Sequence, residues 1–155
     1  MPRIFLFTLL LIGISCASQK QGSTSNKRRG DTRTTPVGFI DEETYLLLET
    51  SGDRSYAFTE ANPVKVGSAP SGSGPRNERR FLNALLGPQG QDVRYFRAGS
   101  CCPFKTPNGL LDNTGLLDRY RVFWESSKDT LDIFINMYDE GDLKIPVGFT
   151  AKKGN

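Results

Sequence analysis

Two adjacent cysteines, Cys101 and Cys102, are the side chains of this sequence best suited to covalent chemistry, and they stand in a Gly99-Ser100-Cys101-Cys102-Pro103-Phe104 run. Neighbouring α-carbons lie about 3.8 Å apart across a trans peptide, closer than ordinary bridges accept. Three states are therefore open to the pair: free structural thiols, a vicinal disulfide that is comparatively easy to reduce, or a soft-metal site with two sulfurs. Histidine is absent from the 155 residues. That removes the commonest metal ligand and the commonest general base at neutral pH, so Ser126 and Ser127 have no partner for nucleophilic work. Asp112, Asp118, Asp139, Glu140 and Asp142 read as turn formers. Gly72 and Gly74 lack the Lys-Ser or Lys-Thr pair of a phosphate loop. No residue set amounts to a catalytic site, and none calls for a cofactor or a metal.

A third cysteine reads as an address. Met1 to Arg3 gives a short positive start, Ile4 to Ile14 a largely apolar run too short to span a bilayer, and Gly13-Ile14-Ser15-Cys16 a small-residue exit. Residues 1–15 are thus expected to be a lipoprotein signal peptide and Cys16 the lipidated first residue of the mature chain, with Gly13 in place of the motif's usual Leu. Ordinary secretion with cleavage after Ala17 is the alternative. Residues 16–37 read as a flexible tether, rich in Ser, Thr, Gly, Lys and Arg without an apolar period. Its basic cluster at Lys27 to Arg29 is solvated charge or a contact for anionic headgroups.

The rest, 38–155, is expected to form a single α+β domain, mostly antiparallel sheet with one packed helix. The composition allows this, with 37% apolar residues and 10% aromatic ones. The net charge of +3 is concentrated near the amino terminus, so no broad basic face for nucleic acid is expected on the body. A first hairpin is predicted from Tyr45–Thr50 and Arg54–Thr59 around Ser51-Gly52-Asp53, and a brief extended piece at Pro63–Val66. A helix is predicted from Pro75 to the Gly87-Pro88 stop, with Phe81, Leu82, Leu85 and Leu86 on its inner face. Arg76, Glu78, Arg79, Arg80 and Asn83 are assigned to the rest of its surface. Arg76, Arg79 and Arg80 are solvated charge on that reading, or a contact for an anion or a partner near the helix start.

Val93–Ala98 reads as a strand. Alternation over 119–124, 131–137 and 143–150 predicts an antiparallel meander with one buried face, its last strand an edge or bulged at Pro146.

The run Asn77-Glu78-Arg79-Arg80-Phe81-Leu82-Asn83-Ala84-Leu85-Leu86-Gly87-Pro88-Gln89-Gly90, the Gly99 to Phe104 run, Gly115-Leu116-Leu117-Asp118-Arg119-Tyr120 and Ile145-Pro146-Val147-Gly148-Phe149 resemble a group of small Gram-negative envelope lipoproteins across residues 40 to 152. Members of that group often carry the label 2-dehydro-3-deoxyphosphooctonate aldolase. The enzyme of that name resembles a (β/α)₈ barrel of about 250 residues. One helix in 155 residues cannot build it. The resemblance therefore implies compartment and fold, with no catalytic residues to carry over. It leads to an expectation of an outer-membrane lipoprotein acting as a non-enzymatic binding or assembly module. Its partners would be the membrane, through the lipid, and an envelope protein or glycan met by the edge near Pro146 or by the helix arginines, with nucleic acid excluded. A thiol-dependent redox or hydrolytic envelope enzyme using Cys101 and Cys102 is the alternative, and an aldolase ranks third.

Overall fold

The computed structural model describes residues 30–154, so the expected signal peptide, Cys16 and the first part of the tether lie outside the described residues. The body is α+β, as the alternation and the helical spacing imply. Its main sheet has the order β3 (Val64–Lys65), β7 (Leu131–Asn136), β6 (Thr114–Trp124), β5 (Val93–Lys105). The β5–β6 and β6–β7 pairs are antiparallel, while β3 lies parallel to β7 with Val64 opposite Ile135. Period-two alternation works here because successive side chains leave opposite faces of a strand. Tyr95, Tyr120, Val122, Ile133 and Ile135 consequently point into one core.

Helix α1 (Gly74–Ala84) covers that face. Phe81 and Leu82 are fully buried, with Ala84 beside them. Pro75 occupies the first turn, where its missing N–H costs nothing. The helix stops earlier than the Gly87-Pro88 signal: Leu85 is already extended (φ −81°, ψ 146°), and Leu85–Leu86 form β4, paired antiparallel with β8 (Thr150–Ala151).

Two expected strand pairings are replaced. The hairpin is β1 (Gly38–Asp41) with β2 (Thr44–Leu46), turned at Glu42-Glu43, rather than 45–50 with 54–59. Asp53 instead takes the Ser55 N–H and hydroxyl and the Asn62 side-chain amide, winding 53–62 into turns. The 45–50 run finds its partner at Ile145, whose N–H reaches the Glu49 carbonyl while the Ser51 N–H reaches the Ile145 carbonyl. Beyond Asn136 the expected third meander strand is missing. Pro146 lacks a ladder donor and is buried, and Gly148 at φ +92° reverses the chain, so pairing in this span is reduced to the Ile145 bridge with Thr50 and to Thr150–Ala151. Neither an edge strand nor an exposed contact exists at Pro146.

The expected tether boundary at 37 is also displaced. Arg33 donates to the carbonyls of Gly141 (2.9 Å), Lys65 and Val66, and Thr34 and Thr35 both donate to the Asp142 carboxylate. Residues 31–35 are thereby part of the body.

Candidate functional site

Strand β5 carries two register shifts, between Arg97 and Gly99 and between Cys101 and Pro103. Each leaves one extra residue, Ala98 and Cys102, and the bulges re-aim the three residues between them. Cys102 takes a left-handed backbone (φ 58°), and its sulfur is bonded to that of Cys101, with α-carbons 3.7 Å apart. Both residues are half-buried. Among the described residues no group of acidic or sulfur ligands is placed to hold a metal.

The first bulge brings Arg97 and Ser100 onto one carboxylate. Arg97 binds Asp118 through Nε and Nη2, each at 2.7 Å, and the Ser100 hydroxyl donates to Asp118 Oδ1 at 2.8 Å. Asp118 is buried and half-exposed Arg97 reaches in from the rim, its guanidinium held more firmly protonated by that bond. On the core side, Tyr120 donates to Glu78 Oε2 at 2.8 Å. Glu78 is completely buried, and its Oε1 has no partner among the described residues. Burial first, and the negative charge of Asp118 second, push the Glu78 carboxyl up to about 8, so it is a neutral acid at pH 7. Burial and Glu78 also raise the Tyr120 phenol.

This is acid–base material in the wrong place for turnover. Both carboxyls are sealed from solvent, and the Asp118 oxygens are already taken by the Arg97 fork and Ser100. Sequence reasoning placed Glu78 on the outer helix surface. Its spacing to Phe81, Leu82 and Leu85 (i+3, i+4, i+7) is the signal that puts it on the buried stripe instead.

The helix arginines do not converge on an anion site. Arg76 binds Glu43 at 2.6 Å and lies 3.7 Å from Glu42. Arg80 donates to the Glu42 carbonyl (2.7 Å) and to Asn77, and sits 5.2 Å from the Phe39 ring centroid. These contacts fasten α1 to the β1–β2 turn, because two acidic residues sit where the helix start passes. Arg79 is exposed.

A different surface gathers cations and rings. The β5–β6–β7 face turned away from α1 opposes Arg94 to Phe123, Phe96 to Arg121, Arg119 to Phe134 and Arg121 to Asp132. Arg121 is engaged with Asp132 (3.3 Å) and Thr130, whereas exposed Arg94 and Arg119 have no ion pair among the described residues. Phe96 is 54% exposed between them. Such a face can take an anionic group on the guanidiniums while an apolar or ring surface rests on the phenyls. The sequence shows these residues as the polar half of an alternation, but their cross-strand order needs the register.

Against family models, curated proteins and solved structures, the chain has no match.

Proposed function

We propose that the chain is a membrane-anchored, non-enzymatic binding module of the cell envelope, held on the outer membrane by acyl chains on Cys16. The observation that supports this reading is the arginine–phenylalanine face of β5–β6–β7, uncovered among the described residues, combined with the burial of the Glu78 and Asp118 carboxyls. Its partner is an envelope protein or glycan with negative charge. The test places a photo-crosslinker at Phe96 in the native envelope and compares the adducts with those of an Arg94→Glu/Arg119→Glu chain, while labelled fatty acid is traced to Cys16. A reproducible adduct that disappears on charge reversal, on acylated protein, supports the reading. Turnover of a small substrate by purified protein with no adduct at Phe96 sinks it.

A second reading, a thiol-dependent envelope enzyme, has one observation in its favour: the Cys101–Cys102 bond sits half-exposed at a bulge. A Cys101→Ser/Cys102→Ser chain that folds and functions unchanged in the envelope removes it.

A further inference from the structure

We infer that the tip of the β5–β6 hairpin, Leu110-Leu111, is a second membrane contact that dips into the interface of an anionic bilayer and stands the sheet upright on it; this rests on the lipid-anchored reading above. Leu110 and Leu111 are 61% and 78% exposed, side by side at the end of the longest hairpin. They are presented by a braced turn. Asp112 (φ 47°) and Asn113 (φ 53°) are both left-handed, and the Thr114 N–H closes onto the Leu111 carbonyl at 2.8 Å, the geometry of a type I′ turn. Lys105 fastens the turn through the Asp112 carbonyl and the Thr114 hydroxyl. Gly109 is required beside it, since a Cβ there would come within 2.5 Å of the Thr114 backbone nitrogen.

The occupant follows from where the chain leaves the body. Asn108 donates to Asp31 at 2.9 Å, and Gly30 packs against Thr106 and Asp139. The segment that leads back to Cys16 thus departs two residues from Leu110. Fourteen peptide units separate Cys16 from Gly30. They span at most about 50 Å. An acyl anchor on Cys16 is therefore tied to the body at this end of the sheet. The far end, at the β6–β7 connection, is about 35 Å away along β6. Lys27-Arg28-Arg29 directly precede Gly30 in the sequence, which selects an anionic surface. Asp112 is the exposed carboxylate at the turn and Lys105 the cation that accompanies it.

The experiment uses the acylated mature chain, beginning at Cys16, in vesicles of phosphatidylglycerol and phosphatidylcholine. A polarity-sensitive fluorophore is attached through Leu111→Cys, with Lys128→Cys at the far end as control and the unsubstituted chain as blank. Both sites are exposed, so folding is unaffected, which near-ultraviolet circular dichroism checks. The expected result is a blue-shifted probe at 111, quenched by a bilayer-embedded quencher and several-fold less accessible to aqueous iodide than the probe at 128. Equal iodide access at 111 and 128 on protein that stays with the vesicles overturns the tip contact and leaves the anchor standing. Protein that carries no acyl group and fails to co-sediment overturns the anchor and the inference together.

Discussion

The Tyr120 hydroxyl donates to Oε2 of Glu78 across 2.8 Å in the middle of the core, joining the helix to the central strand through a carboxyl that burial keeps neutral. Burial of that carboxyl, against which the Tyr120 bond works, gives its contribution to stability an unusual pH dependence.

The Glu78 carboxyl titrates near 8 in the fold and near 4.5 in the unfolded chain. The unfolded state thus gives up its proton first. The stability this group contributes is fully present below about pH 4.5, is lost as pH rises from there to about 8, and then levels off. The loss from this group is on the order of 3–5 kcal/mol. Urea unfolding at pH 5, 7 and 9 should show the decline, and Glu78→Gln, which keeps the neutral shape, should remove most of it. An unchanged slope in that variant would mean that another group governs the pH dependence.

Arg97→Ala takes the cation from a buried carboxylate and leaves Asp118 with Ser100 alone. Truncating one partner of a fully buried pair costs about 3–5 kcal/mol, reduced here to about 1–3 kcal/mol because Arg97 is 46% exposed and water replaces part of its charge. A denaturation midpoint equal to that of the parent chain would show the pair to be idle. Arg76→Ala, at the exposed pair with Glu43, should shift the midpoint far less than Arg97→Ala in the same measurement, because solvent screens that pair.

Reducing the Cys101–Cys102 bond should add about 2 Da and change stability by less than about 1 kcal/mol. A bridge between neighbours closes no loop, so it restricts the unfolded chain very little. Intact mass with and without reductant gives the first number and paired denaturant curves the second. A drop above about 2 kcal/mol on reduction would show that the bond holds more than its own bulge.

Arg94→Glu/Arg119→Glu should leave stability within about 0.5 kcal/mol per substitution, since both side chains are exposed and without ion pairs among the described residues. Partner capture in the envelope should fall with it. Loss of folding in this variant would assign the two arginines to the architecture instead.

The sequence makes the helix and the two central strands legible because their signals are local: Phe81, Leu82 and Leu85 recur at helical spacing, and Tyr120–Val122 and Ile133–Ile135 alternate. The remainder depends on distant partners. Glu49 and Ile145 pair across most of the chain, and Arg33 is fixed by the carbonyls of Lys65, Val66 and Gly141, so neither Tyr45–Thr50 nor residues 31–37 could be placed from their neighbours. The site residues divide the same way. Adjacency leaves the Cys101–Cys102 bond as one of three states open to the pair, and the bulge at Cys102 that accommodates it needs the register, whereas Arg76 and Arg80 look free until Glu42 and Glu43 are folded against them. Polar residue type concealed Glu78, although its spacing placed it correctly.

The two irregularities in β5 also govern how this domain behaves among its own copies. β5 lies at the margin of the four-stranded sheet and is thirteen residues long, a length that would ordinarily recruit a second chain edge to edge. The extra residues at Ala98 and Cys102 interrupt its outward N–H and C=O groups twice within five positions, and Pro103 removes another donor. Crowded copies of this domain therefore meet a margin too broken to propagate cross-strand polymers.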